Sequence, residues 1–396
     1  MTSTQQSSKV EGRRSVSAYG YTQAKALVYP SHGEPIDVLR LHGHSISPTH
    51  SNQITIRFLA SPINPADINQ IQGVYPTKPT FTSTLGTPTP SAVGGNEGVA
   101  VVTSVGSGVT HLTPGDWVVM ARTGFGTWRT HAQTDASNVL KIDDKSGLTP
   151  TQVGTVSVNP CTAYRMLRDF ASLDPEKGDW FIQNGANSGV GRAAIQLGKR
   201  WGLKSINVVR DRADKSAQAA LRSELEALGA DVVISDAELQ DRSSIKDRMK
   251  EWTNGGREHI RLGLNCVGGK PGIEMSKYLS SPPGSGLASH CVTYGAMSKQ
   301  PMMVPASMLI FKNVVFSGFW ISEWSDRHPA EKKAMVEEIL DMTRKGEFKD
   351  VPVREVEWPD NVFGEDVKKL EDKLKTEIQG ALEGYRDGKG VFIFKD

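Results

Sequence analysis

Cysteine is scarce in this chain of 396 residues: Cys161, Cys266 and Cys291 stand far apart and form no CxxC pair. An odd, scattered set excludes a disulfide framework and points to a reducing compartment. It also excludes a four-thiolate structural zinc lobe, which needs more cysteines than the chain has. Long apolar runs are missing as well. No stretch approaches the roughly eighteen residues that cross a bilayer, and the N-terminus has no apolar block of the secretory kind. Neither sign of charge is in excess: the formal net charge is +2. Basic runs such as GRR are too short for a nucleic-acid footprint. No HExxH, GxSxG or P-loop lysine motif occurs. Cys266 and Cys291 lie in apolar runs and read as buried strand residues.

What the chain does contain is glycine, 39 residues of it, mostly in turn signals. At this length two domains are expected. The first 22 residues are rich in Ser, Thr and Gln, with Arg13-Arg14 and one acid, Glu11. They read as a disordered tail or the remnant of a transit segment. From residue 24 to about 150 the chain reads as short strands between Gly, Pro and Asn turns: AKALVY, NQITIRFLA, GVAVVTSVG and DWVVM. Within it, SPINPADINQIQGVYPTKP carries two prolines on each side of a short helical pattern and looks like a loop that approaches a ligand. From about 158 to 318 the rhythm becomes strand, helix, strand, helix. DWFIQN, SINVVR, DVVIS, RLGLNCVGG, LASHCVTYG and VVFSGFW alternate with patterns such as KSAQAALRSELEALG, which predicts a parallel sheet covered by helices on both faces. The last segment holds two charged helical patterns and ends in the strand-like GVFIF, which is expected to return to the first domain. In LHGHSISPTH, with His42, His44 and His50, two of the histidines would share a strand face, but the segment reads as a surface turn rather than a metal site.

Between DWFIQN and RAAIQLGKRWG lies GANSGVG, Gly185 to Gly191. A pyrophosphate needs close backbone N–H groups, and a Cβ at the contact points would block it; the following helix aims its amides and positive dipole end at the phosphates. The pattern is a partial match to the dinucleotide fingerprint, and taken alone it also suits an ordinary strand-to-helix turn. About twenty residues on, SINVV ends in Arg210-Asp211-Arg212 where an NAD-binding chain usually places one carboxylate. Guanidiniums form paired, charge-assisted bonds to phosphate, so this favours a 2′-phosphorylated nucleotide, NADPH. Asp211 could itself face the ribose, and solvated arginines are the plain alternative.

With these stretches together, the chain resembles the mitochondrial 2-enoyl thioester reductases of the zinc-free medium-chain dehydrogenase/reductase superfamily. The most specific stretches are INQIQGVYP and FIQNGANSGVG; GGNEGVAVVTSVGSGV, FGTWRTHA, SVNPCTAYRML, YGAMSKQPM and FKNVVFSGFW add to them. The likeness runs from residue 24 to 325 and fades beyond. It implies an α/β fold: a GroES-like partial β-barrel catalytic domain (23–157 and 320–396) and a Rossmann NADPH-binding domain (158–319). It implies reduction of the trans-2 double bond of an acyl thioester on CoA or acyl carrier protein, in fatty acid synthesis. A homodimer and a mitochondrial matrix location are implied with it, the cytoplasm being the alternative.

The resemblance places the catalytic tyrosine at Tyr75. Its phenol can bind the thioester oxygen or deliver a proton to Cα without carrying charge; packing on the neighbouring prolines is the plainer role. The nucleotide contacts implied are Asn159, Gly185, Ala186, Asn187, Ser188, Gly189, Val190, Gly191, Arg210, Asp211, Arg212, Tyr294, Gly295, Ala296, Met297, Phe319, Trp320, Ile321 and Lys389. Asn159 could equally cap a helix, Phe319 and Trp320 could be core aromatics, and Lys389 a solvated lysine. No metal is expected: GGNEG offers Asn96 and Glu97 where zinc-dependent relatives carry a ligand. NADPH quinone reduction, a trans-acting reductase of a polyketide pathway, and a non-catalytic nucleotide-binding protein are the competing readings.

Overall fold

A computed structural model describes residues 20–382 and 388–395; residues 1–19 of the expected tail lie outside them. Among the described residues the strands make three sheets. The largest has the order Val353–Pro359, Lys389–Lys395, Gln53–Pro62, Val99–Val105, Trp117–Met120 and Val139–Lys141, with His131–Asp135 also paired to Gln53–Pro62. It is mainly antiparallel, and its two C-terminal members run parallel to each other. A small sheet of Arg40–Ile46, Thr22–Tyr29 and Ala92–Val93 stands beside it. The third sheet is parallel throughout. Its order is Val232–Ser235, Lys204–Val209, Trp180–Asn184, Ile260–Asn265, Ser289–Thr293, Val314–Gly318. Chain order therefore reverses at Trp180–Asn184, the switch point where such sheets bind dinucleotides.

Local chemistry accounts for these elements. Trp180–Asn184 is buried at every residue, as a strand covered on both faces requires. The helix Lys215–Ala227 starts where the Asp214 carboxylate accepts the Ser216 and Ala217 amides at 2.8 and 3.2 Å, a side-chain cap. One apolar cluster runs from Ala60, Val99 and Val119 of the mixed sheet, through Met166 and Ile339 on helices, to Phe181 and Leu264 of the parallel sheet. A second fills the mixed sheet itself, with Phe392 edge-on to both Trp128 and Trp358 at ring separations of 5.6 and 5.4 Å. Cys161, Cys266 and Cys291 are all buried.

Two expectations need correction. LHGHSI is no surface turn but the strand Arg40–Ile46, seven of whose residue pairs match Thr22–Val28. His42 and His44 share a face there, with rings parallel 6.1 Å apart. The strand Val353–Pro359 was not foreseen either, because charged residues alternate along its exposed side.

The C-terminal strand returns beside the opening of the helix Pro65–Ile71, where the Ile63 amide donates to the Gly390 carbonyl at 2.9 Å. There Lys389 meets two buried carboxylates. Its ammonium donates to Asn64 Oδ1, while Asn64 Nδ2 donates to Glu97 Oε2 at 2.9 Å and the Asn64 amide to Asp67 Oδ2 at 2.7 Å. Asn96 Nδ2 donates to Asp67 Oδ1 at 2.6 Å. Burial pushes the Asp67 carboxyl up to about 7, and Glu97 above its ordinary value; Lys389 opposes both shifts. Carboxyls raised in the folded state cost stability as pH climbs through their range. Lys389→Met, which removes the ammonium, should therefore lower the unfolding temperature most at about pH 8 and less at about pH 5.5, where protonation relieves the pair. An equal loss at both pH values would contradict the network.

Candidate functional site

The strand Trp180–Asn184 ends at Gly185, and the helix Gly189–Arg200 begins four residues later, with Ser188 Oγ accepting the Gly191 amide at 3.1 Å. Gly185 sits at φ +60°, and a Cβ there would lie 2.5 Å from Cys266 Sγ. A Cβ on Gly191 would lie 2.5 Å from the Ala186 carbonyl oxygen. The turn thus folds onto its own backbone and keeps side chains out of the cradle ahead of the helix amides. That cradle fits a pyrophosphate.

Several expected residues gather around this turn. Asn159 is not a cap but the first residue of the helix Asn159–Asp169, with Val158 before it; its Nδ2 fills the place a Cβ on Gly189 would take, 2.6 Å away. The Tyr294 phenol lies close to Ser188 and Cys266. Gly295 passes over Cys266 closely enough that a Cβ would lie 3.0 Å from its carbonyl oxygen, and the Met297 amide donates to that oxygen at 3.0 Å. Ala186 and Val190 are buried beneath the turn, while Asn187, Ala296 and Met297 are exposed beside it. Underneath, Asn184 Nδ2 donates to Asn265 Oδ1 at 2.8 Å and its Oδ1 accepts the Cys266 amide at 2.9 Å. The ends of two neighbouring strands are locked together there.

Arg210 and Asp211 are exposed at the end of the adjacent strand, followed by the half-buried Arg212. The Asp211 amide donates to Asp236 Oδ1 at 2.8 Å, which fixes the loop's course. Arg192 is a residue that sequence reading missed. Buried, it grips Glu224 in a two-pronged pair at 2.7 and 2.9 Å, and its Nε donates to the Asn187 carbonyl at 3.0 Å. It joins the glycine turn to the helix after the arginine loop. Its position inside the helical pattern RAAIQLGK gave no signal beyond amphipathicity.

Tyr75 follows the helix Pro65–Ile71, and its amide donates back to the Asn69 carbonyl at 3.2 Å. Its phenol oxygen accepts the Trp320 indole N–H at 2.7 Å, with the two rings edge-on at 5.7 Å. Ser322, two residues further along, is buried. Burial raises the Tyr75 phenol above its ordinary value, while Trp320 and Ser322 pull it down. The phenol is therefore protonated at neutral pH. Indole N–H can only donate, so the phenol's own proton is left for a different acceptor. Phe319 packs edge-on against Phe170 at 5.9 Å, and Ile321 is buried. Glu97 Oε1 accepts the Val158 amide at 2.9 Å, linking the lysine–carboxylate network to the residue before Asn159. Lys389 contacts that network through Asn64.

The residues around Glu97 do not suit zinc. Asp67 and Glu97 are bonded to the amides of Asn64 and Asn96 and neighboured by an ammonium. Among the described residues, no three His, Cys, Asp or Glu are grouped for a metal.

The chain is similar to known proteins over most of its length. Residues 50–144 match the alcohol dehydrogenase GroES-like domain, and residues 189–343 match a family described as zinc-binding dehydrogenase. A Schizosaccharomyces pombe protein named mitochondrial enoyl-[acyl-carrier-protein] reductase is 43% identical over 358 residues, 90% of this chain and 92% of its own. The solved Etr1p/NADP/crotonyl-CoA complex superimposes with a TM-score of 0.85 at 36% identity, covering 94% of this chain and 99% of that one. The Etr1p/Etr2p heterodimer of mitochondrial 2-enoyl thioester reductase from Candida tropicalis gives 0.84 at 37%, covering 94% and 99%. A glycine cradle, an Arg-Asp-Arg loop and a tyrosine held by tryptophan thus sit in a chain that belongs to the mitochondrial enoyl-[acyl-carrier-protein] reductase family.

Proposed function

We propose that this protein reduces the trans-2 double bond of enoyl thioesters with NADPH, as a mitochondrial enzyme of fatty acid synthesis. The observation that carries the reading is the Tyr75 phenol, held by Trp320 with its own proton free, in a chain that also bears the glycine cradle. When bound, NADPH supplies the hydride that the electrophilic Cβ of the conjugated thioester accepts. The protein's residues then manage the charge and the proton. The Tyr75 phenol donates its hydrogen bond to the oxygen where negative charge gathers, and its proton goes to Cα. Trp320 stabilises the phenolate that forms, because its N–H bond strengthens as that oxygen gains charge.

For the nucleotide, Gly185 to Gly191 and the helix they open receive the pyrophosphate, and Arg210 and Arg212 the 2′-phosphate, with Asp211 at the ribose. Asn159, Tyr294 to Met297 and Phe319 to Ile321 border the nicotinamide. Lys389 is proposed as a further nucleotide contact, beside the Asn64 side-chain amide that it already bonds. The domain division proposed is 23–157 with 320–396, and 158–319, since the mixed and parallel sheets fall on either side of it.

A homodimer is part of the same proposal. Val314–Gly318 ends the parallel sheet with one edge unpaired among the described residues. Beside it Ile310 and Phe311 are 70% and 81% exposed, and Leu309 and Val315 are exposed too. An open edge with an apolar flank favours pairing with a second copy.

Three outcomes test the proposal. NADPH should bind at least about tenfold more tightly than NADH, about 1.4 kcal/mol, and replacing Arg210 and Arg212 together with Ala should erase the difference in a fluorescence titration. Tyr75→Phe should cut kcat for crotonyl-CoA by about a hundredfold with NADPH affinity unchanged; near-normal turnover would refute the assignment. Ile310→Asp combined with Phe311→Asp should shift the protein from dimer to monomer in sedimentation.

A further inference from the structure

One NADPH molecule has to reach two phosphate sites at once, the glycine turn and the arginine loop. The spacing between them must therefore be held. Along the chain the helix Gly189–Arg200 and the strand Lys204–Val209 separate the two. The strands that deliver them are paired side by side. That pairing fixes where each loop starts but not where it ends. The arginine loop ends in the helix Lys215–Ala227, whose capping residue Asp214 comes two residues after Arg212.

Arg192 and Glu224 tie that helix back to the turn. Arg192 stands at the opening of the helix Gly189–Arg200 and is only 8% exposed. Its Nε donates to the Asn187 carbonyl, inside the turn, at 3.0 Å. Its two terminal nitrogens donate to the two Glu224 oxygens at 2.7 and 2.9 Å. Glu224 lies in the third turn of Lys215–Ala227. A helix is stiff over this length, so holding Glu224 sets the direction in which its start points. Under the pair runs an apolar seam, with Ala186 and Ile195 on one side, Leu221 and Leu225 on the other, and Val209 at the end of the strand. Apolar contact resists separation but has no direction, and it would let the helix slide. A planar guanidinium forked onto a carboxylate fixes direction as well as distance.

We propose that the Arg192–Glu224 pair is a strut that sets the spacing of the two phosphate sites and thereby favours the 2′-phosphorylated nucleotide. The inference rests on the arginine loop being the 2′-phosphate site. Arg192 and Glu224 act through the turn and the loop and are positioning residues. NADH has no 2′-phosphate; it binds through the turn and does not sense the spacing.

Glu224→Ala is the deciding variant, because it cuts the tie to the second helix and leaves the Arg192 bond to Asn187. In a fluorescence titration NADPH should bind about tenfold more weakly, about 1.4 kcal/mol and the scale of one charge-assisted hydrogen bond, with NADH binding unchanged. Charge alone predicts the opposite sign, since losing an acid leaves the protein more positive and should tighten NADPH. NADPH binding that is unchanged or tighter overturns the strut. An equal loss for both nucleotides, the mark of a merely loosened fold, overturns it too. Arg192→Met breaks the same pair, so adding Glu224→Ala to it should cost no further preference for NADPH; additive losses would show that the two residues act separately and overturn the strut. Replacing Arg210 and Arg212 together with Ala separates the two readings. A preference for NADPH that survives there removes the loop as the 2′-phosphate site, and the strut with it. A preference lost there but unmoved by Glu224→Ala removes the strut alone.

Discussion

The hydrogen bond from Trp320 to Tyr75 joins residues 245 positions apart. One end hangs from a short helix in the mixed-sheet region; the other follows the last strand of the parallel sheet. Because indole only donates, this bond fixes which lone pair of the phenol is used and which way its proton is free to point. A phenol held by a carboxylate would instead have spent its proton. The chemistry proposed for the cleft depends on that choice of partner.

The surrounding structure serves to keep both ends of the bond still. On the tyrosine side, the loop is tied to its helix through Asn69, and the helix opening is tied to Glu97 and Lys389 through Asn64. A strand from the far end of the chain therefore sets the position of a residue near its start. On the tryptophan side, the Phe319 amide donates to the Thr293 carbonyl at 3.0 Å, so the segment leaves the parallel sheet in a fixed direction. One apolar cluster spans both regions, which makes the cleft a property of the core rather than of loose loops.

Much of this was legible in the sequence, and the reasons are local. The parallel sheet announced itself because each of its strands is an apolar run bounded by turn residues, and the glycine turn because its neighbours forbid Cβ atoms. The shared face of two histidines was legible in LHGHSI, though the segment reads as a turn; Val353–Pro359 was missed since its exposed acids and arginine hide a half-buried strand. Resemblance singled out Tyr75 and Trp320, but their mutual bond was invisible, as were the partners of Lys389 and the role of Arg192. Each of these depends on which distant segments the fold brings together, and no spacing along the chain encodes that.

The central claim is that the Tyr75 phenol offers its proton to the reacting thioester while Trp320 holds its oxygen. A crystal structure with an NADP nucleotide and an unreactive crotonyl thioester analogue tests this most directly. The phenol oxygen should lie within about 3 Å of the thioester oxygen or Cα, with the Trp320 bond intact. A phenol turned away from the acyl group, or released by Trp320 and bonded elsewhere, would contradict the account.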